Sequence, residues 1–406
     1  MSDPATVLTR RELSTRPLLG AGRGFWVVAA AFVVAMAFST VPTPLYVLYQ
    51  QRDHFSSFVV TILFAAYAIG VVFSLFLAGH VSDWVGRRRV LVPALLVEAA
   101  AAVLFLVATT VPELFVARLL TGVGVGMVTA TATAYLSELH TAHRPRNGLG
   151  RAELVATAAN LGGLGLGTLV SGFLAQYVTG PLTTSYAVFL VLLLVSTALV
   201  AFVPETVAVE SRTYHPQRVS VPELARAHYF AAGAAAFASF ATLGLFTSLA
   251  PAFVANTLHL PSRALAGTVA FLVFGSAAST QILFRRKQTR HQLAIGIGLM
   301  SVGLAVVTAA LFVASLPLFL VGGVAAGAGM GVLFKGSIST VAALSSPTSR
   351  GEALAGLFLA GYLGLVVPVL LLGIATQYVA APFALLGFSA VVLVVSAAAG
   401  RRLLKD

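Results

Sequence analysis

Apolar residues run along this chain in long blocks separated by short polar breaks. The blocks cover roughly 25–48, 56–79, 90–110, 112–138, 150–177, 183–203, 228–255, 264–284, 293–313, 316–342, 352–378 and 382–400. Each is continuous for about 20 residues, the helical length that crosses a hydrocarbon core of about 30 Å. Barrel strands would be shorter and would alternate in polarity, so the pattern predicts helices. We number these spans 1 to 12. The longest polar interruption, 204–227, carries Pro204, Glu205, Glu210, Arg212, His215, Pro216 and Arg218. It separates six spans from six. The expected organisation is a tail over 1–24, a first bundle over 25–203, a linker over 204–227, a second bundle over 228–400 and a tail over 401–406.

Composition agrees with lipid as the solvent. Of the 406 residues, 58% are hydrophobic and 9% charged, against roughly a quarter charged in soluble proteins, and the mean hydropathy is +0.95. There is no cysteine, which excludes disulfides and thiolate metal sites. A net charge of +12 could point to a nucleic acid, but its distribution fits a membrane better. With a cytoplasmic N-terminus, 21 of the 25 Lys and Arg residues fall on the cytoplasmic side. Only Arg52 and Arg263 lie outside, and Arg118 and Lys335 lie within spans. That asymmetry predicts an even number of spans with both termini cytoplasmic, and the lack of cysteine fits an inner or plasma membrane. Arg10, Arg11, Arg16 and Arg23 precede span 1 as in a signal peptide. The apolar run that follows is too long and lacks a small-residue cleavage site, so it is expected to stay as a span.

The two halves echo each other. Gly122, Gly124 and Gly126 in span 4 match Gly327, Gly329 and Gly331 in span 10, an offset of 205. Pro44 and Pro251 near the ends of spans 1 and 7 are 207 apart, and Gly163 and Gly172 in span 5 match Gly364 and Gly373 in span 11 at 201. Three near-equal offsets predict a duplicated six-helix unit.

The densest charge lies in the short connection from Gly79 to Arg89. Glycines at Gly79 and Gly86 permit a tight reversal. Asp83 can face a helix N-terminus or an arginine, and the arginines can meet carboxylates or anionic headgroups. The run of Gly79, three residues, Asp83, two residues, Gly86, Arg87 and Arg88 resembles the loop between helices 2 and 3 of the major facilitator superfamily, with Trp84 where that family carries Arg or Lys. The resemblance implies an all-α membrane protein of 12 transmembrane helices in two pseudo-symmetric six-helix bundles, with a cavity opening alternately to each side. The loop then has two readings. It is a cytoplasmic latch between the halves, built on Gly79, Asp83, Gly86, Arg87 and Arg88 with Glu138 as a partner, or it is only an orientation signal. Glu153 is a further candidate partner. The second copy, Arg285 to Arg290, has lost the Asp and the glycines.

Other candidates carry alternatives of the same kind. Arg118, Gly122, Gly124 and Gly126 resemble the family's helix 4 motif. Arg118 lies about 10 Å below the outer end and either snorkels outward or contacts a substrate or a proton-linked carboxylate. Gly163, Gly167, Thr168 and Gly172 resemble the antiporter-associated motif of helix 5, with Thr168 replacing its proline; the alternative is a plain small-residue interface. Glu98, about 12 Å into span 3, is the candidate for proton coupling, since a carboxylate in hydrocarbon without a partner holds its proton; the alternative is a structural role. Lys335 either snorkels inward or touches substrate. Tyr46 and Tyr49, beside Pro42 and Pro44, belong to an outer cavity mouth or to an interfacial aromatic belt. Asn160 and Tyr362 are mid-span cavity candidates. Gly148 and Gly351 close loops of a kind common in that family.

The function implied is secondary active transport, as proton-coupled efflux of a small lipophilic or cationic compound of the kind exported by multidrug resistance antiporters. Span 1 lacks the carboxylate that many such antiporters carry. The alternative is a proton-coupled uptake symporter, with Arg118 and Lys335 holding an anionic group. An embedded enzyme or receptor is more distant, since HExxH, GxSxG and Walker A patterns are missing. His140 and His143 lack further ligands for a metal. No cofactor is expected beyond the proton gradient. The partners expected are a small-molecule substrate, protons and membrane lipids, with no nucleic acid, and a monomer is expected.

Overall fold

In the computed structural model of the chain, residues 19–145, 148–208, 213–222, 225–346 and 349–405 are described. Arg10, Arg11, Arg16, Arg146, Glu210 and Arg212, used above, lie outside the described residues. Twelve helices are long and apolar enough to cross a membrane. Spans 1 to 6 are Ala21–Asp53, Ser57–Ala78, Arg87–Val107, Val111–His143, Gly150–Tyr177 and Pro181–Val200. Spans 7 to 12 are Arg226–Ser248, Arg263–Leu283, Thr289–Phe312, Leu316–Leu344, Arg350–Ala375 and Ala381–Leu403. No strand occurs among the described residues. With an even number of spans, both ends of the chain leave on one face, called here the termini face.

The helix ends depart from the hydropathy pattern for local reasons. Span 1 is two stretches, Ala21–Thr40 and Pro42–Asp53, joined at Val41, which itself keeps helical dihedrals. Pro42 has no N–H to donate, so the hydrogen-bond ladder is interrupted while the helix runs on. Span 4 has 33 residues, about 50 Å of helix. It therefore projects beyond the hydrocarbon and carries Glu138, His140 and His143 outside it. Its start is fixed by a capping box between Thr110 and Glu113. Span 7 stops at Ser248 and continues as a short helix, Ala250–Ala252, and a π-helical turn, Phe253–Thr257.

Lipid gives no hydrophobic drive for helix association, so close approach at small residues must supply it. The repeated glycines show how. A methyl group on Gly122 or Gly126 would run into span 2 at Tyr67 or Ser74, and one on Gly124 would meet Glu98 of span 3. In the second copy, Gly327 and Gly331 lie on span 8, and Gly329 lies against Met300 of span 9. The same three-helix packing thus occurs twice, in two six-helix bundles, and Ala270, Phe274 and Leu365 of the second join the apolar core of the first.

The bundles meet along spans 5 and 8 and along spans 2 and 11. Here the helix 5 and helix 11 glycines divide their work. Gly163 and Gly167 pack on span 1 and Gly364 packs on span 7, each inside its own bundle. Gly172 instead faces Gly267 and the Arg263 carbonyl of span 8, and Gly373 faces Thr61 of span 2. Both crossings lie toward the face opposite the termini. Thr168, in the position of the missing proline, shares its hydroxyl between the carbonyls of Gly165 (2.8 Å) and Gly267 (3.2 Å), a hydrogen bond between the bundles.

Candidate functional site

Three sets of residues stand out along the path between the faces: a charged clamp on the termini face, a buried centre, and a closure on the opposite face.

The clamp begins where the chain turns from span 2 into span 3. A short helix, Ser82–Val85, fills the connection. Gly79 keeps right-handed helical dihedrals, so the reversal expected of two glycines falls on Gly86 alone, with φ 117° and ψ 141°. That region is open essentially only to glycine. It starts span 3 at Arg87 and presents the N–H groups of Arg87 and Arg88 to the Glu205 carboxylate at 2.7 and 3.1 Å. A carboxylate at a helix N-terminus satisfies otherwise orphaned donors and complements the helix dipole. The Arg87 side chain is 9% exposed. It pairs with Asp83, donates to the Ser82 hydroxyl at 2.7 Å, and forms a fork onto Glu138 at 2.8–3.2 Å. Thr206 donates to the same Glu138 at 2.5 Å. Arg88 donates to the carbonyls of Ala201 and Val203 at the end of span 6. Glu153 is exposed and makes no ion pair among the described residues.

Every one of these bonds closes within the first bundle or on the first residues of the linker. Beyond them the linker itself crosses over: Gln217 N–H donates to the Phe76 carbonyl, Tyr214 hydroxyl to Leu77, and Ser220 N–H to Glu352. Arg285 adds a bond to the Gly150 carbonyl at 3.2 Å. Glu205 and Thr206 escaped sequence reasoning, although three consecutive arginines in a chain of only 13 acidic residues demanded counter-charges, and Glu205 follows the end of span 6. Gly86→Ala is expected to cost roughly 1–3 kcal/mol for the backbone region alone, and its methyl group would sit 2.6 Å from Glu205. Thermal unfolding in detergent checks this: a clearly lower Tm is expected, whereas an unchanged Tm would mean that Glu205 does not hold the turn.

At the centre, Arg118 is buried among spans 1, 2 and 4. It donates to the Ser39 carbonyl at 2.8 Å, and its guanidinium lies 4.5 Å from the centre of the Tyr67 ring. It does not snorkel outward: the close approach at Gly70 and Gly122 seats span 4 on span 2, and the ring of Tyr67 takes the cation, a contact worth about 2 kcal/mol when desolvated. No carboxylate pairs with it among the described residues, and its Nε is unpartnered. Glu98 is 0% exposed, with both carboxylate oxygens lacking a hydrogen-bond partner. From the second bundle, Tyr362 and Phe240 pack onto the first bundle's core. Phe240 stacks edge-on with Tyr362 and Phe334 at 5.3 and 4.9 Å, and Phe358 extends the set. Asn160 and Lys335 are part-buried nearby in sequence terms, beside Leu161 and Phe334 respectively. Tyr46 and Tyr49 are not at an aqueous mouth. Both are buried in the first bundle's core, because the end of span 1 packs against spans 5 and 6. Tyr67, Phe240 and Phe334 were invisible as site residues because aromatic residues are scattered through every span.

The opposite face is drawn together. Besides the glycine crossings, Gln377 donates to the Ser56 hydroxyl at 3.2 Å, and Arg263 N–H donates to the Gln176 side chain at 2.9 Å. Between the bundles here lies a cavity of ≈340 Å³ with Ser56, Ser57, Asn256, Thr257, Thr376 and Gln377 as its polar lining.

Comparison with known proteins fits this geometry. The family model described as the Major Facilitator Superfamily matches residues 27–307. The fold is similar to that of the human organic anion transporter MFSD10 (TETRAN), with TM-score 0.68, 17% identity, and coverage of 93% of this chain and 99% of that one. It is also similar to the nucleoside transporter NupG, with TM-score 0.73, 13% identity, and coverage of 94% and 100%. No curated protein matches the chain in sequence.

Proposed function

The chain belongs to the Major Facilitator Superfamily, and from that premise we propose that this transporter exports a small lipophilic compound, neutral or cationic, in exchange for protons. The termini face is cytoplasmic in this reading, as the 21-to-2 division of basic residues between the faces supports. The single observation that carries proton exchange is Glu98. Its carboxyl group is wholly buried without a partner, and its side chain lies against Gly124. A carboxyl group without a partner in so apolar a setting costs free energy, which supports a role for it beyond packing. The aromatic set around Phe240 and Tyr362 supports a lipophilic substrate, held by surface rather than by fixed charge.

A second reading is carried by Arg118. A buried guanidinium without a carboxylate is suited to an organic anion, and an organic anion transporter shares the fold. Purified protein in proteoliposomes, screened against lipophilic cations, neutral aromatics and organic anions under an imposed pH gradient, separates the two. Proton-driven movement of the first two classes toward the acidic side supports export. Gradient-independent movement of all classes contradicts proton exchange, and selective movement of anions favours the second reading.

A further inference from the structure

Away from the Arg87 clamp, the start of span 1, the end of span 4 and the start of span 5 enclose a second cavity on the termini face, of ≈250 Å³. That is below the roughly 300–1,000 Å³ of pockets that take drug-sized ligands, so it suits a small group. Its lining includes Arg23, His140, His143, Arg144 and Arg151, together with Trp26. None of the described lining residues is acidic.

Two observations separate this cavity from an ordinary basic surface. His140 is 4% exposed, and its Nε2 is buried without a hydrogen-bond partner. The ring is held in place by Phe25, 5.9 Å away. A buried polar atom left unpaired is costly, and His140 is one of the residues that line this cavity. The second is the state of the arginines. Arg87 is saturated by carboxylates, but Arg23, Arg144 and Arg151 make no ion pair among the described residues. Arg151 is instead laid over Trp26, its guanidinium 5.7 Å from the ring centre. Gly22 lets His143 approach span 1, since a methyl group there would sit 2.9 Å from the imidazole. Like charges converge on one small space, and no acidic residue is among its described lining. Trp26, 53% exposed, stands at the rim as interfacial tryptophans do at headgroup level.

We propose that this cavity binds a phosphate group, bridging Arg23 of span 1, Arg144 after span 4 and Arg151 of span 5, with His140 Nε2 as a buried hydrogen-bonding contact. Basic pockets between spans on the cytoplasmic side are suited to anionic headgroups, and a bound phosphate would pin span 1 to spans 4 and 5. The phosphate comes from an anionic lipid of the adjoining leaflet or from a free phosphate in solution.

The test is thermal unfolding of the full chain with phosphatidylglycerol, with phosphatidylcholine, or with inorganic phosphate at matched phosphate concentration. The variants are the pair Arg144→Gln with Arg151→Gln and, as a charge-matched control, Arg401→Gln with Arg402→Gln. All four arginines are exposed on the termini face, so neither variant disturbs the core. Phosphatidylglycerol is expected to raise Tm by on the order of 3 °C over phosphatidylcholine. That rise should be lost in the first pair and kept in the control. A rise of the same size with inorganic phosphate, lost in the same pair, supports the site with a soluble source. No rise with either probe, or equal loss in the control, overturns the proposal.

Discussion

Leucine at Gly172 and Gly373 together is expected to lower transport by about 100-fold while leaving the protein inserted and folded. Gly172 lies at the crossing of spans 5 and 8, where a methyl group would sit 2.7 Å from the Arg263 carbonyl oxygen and 3.1 Å from the Cα of Gly267. Gly373 lies at the crossing of spans 2 and 11, where it would sit 2.7 Å from Thr61. At Gly172 these neighbours are backbone and cannot rotate away, and at Gly373 they are the side-chain atoms of the short, branched Thr61. Overpacking costs about 1–3 kcal/mol per site, and each 1.4 kcal/mol is tenfold in an equilibrium constant. The nearest atoms at both positions belong to the other bundle, so the strain falls on closure of the opposite face and not on either bundle's own packing. An alternating-access cycle that cannot populate this closed state stalls. Gly162 and Gly275 are the controls, because a methyl group at either would have nothing within 4 Å. Gly162→Ala with Gly275→Ala should transport normally. The measurement is the initial rate in proteoliposomes at equal reconstituted protein. A wild-type rate in the leucine pair would mean that this face does not open and close during transport.

The second large effect is expected at Glu98. Replacement by methionine, an unbranched apolar side chain of similar size, should leave Tm unchanged or higher. Exchanging a buried carboxyl group that has no hydrogen-bond partner for an apolar group of similar volume removes a desolvation cost. The same variant should lose proton-driven transport while substrate exchange between equal pH compartments persists. Glu98→Gln should behave alike, since it keeps the shape and removes the titratable proton. If either variant retains proton-driven accumulation, Glu98 has no part in coupling; if Glu98→Met unfolds, the carboxyl group is structural.

Much of this architecture was legible in the sequence because lipid imposes simple rules. Apolar length marked the spans, and the glycine offsets marked the duplication, since a close helix crossing leaves no substitute for glycine and both copies kept it. The offsets could not say what each glycine touches. Gly163 and Gly172 look alike along the chain, yet one packs within its bundle and the other faces the other bundle. Gly79 and Gly86 likewise looked equivalent, and only the φ of Gly86 makes it the turn. Tyr46 and Tyr49 were misplaced because a helix with two prolines suggests a water-facing end. The structure instead keeps the helix running and buries both rings. Partners brought in from distant sequence, such as Glu205 onto span 3 and Tyr67 beneath Arg118, depend on tertiary contacts that no local pattern encodes.

The clamp and the closure together describe one state of a cycle. On the termini face the ion pairs of Arg87 stay within the first bundle and leave Asp83 largely exposed. On the opposite face hydrogen bonds and glycine crossings join the two bundles. The chain has no native cysteine, so Ser56→Cys with Gln377→Cys gives a single engineered thiol pair across that closure. The most direct test is transport by this variant in proteoliposomes before and after a short reducible cross-linker. Efficient cross-linking, loss of transport, and its return on reduction are the predicted results. Wild-type transport by fully cross-linked protein would contradict alternating access through this closure.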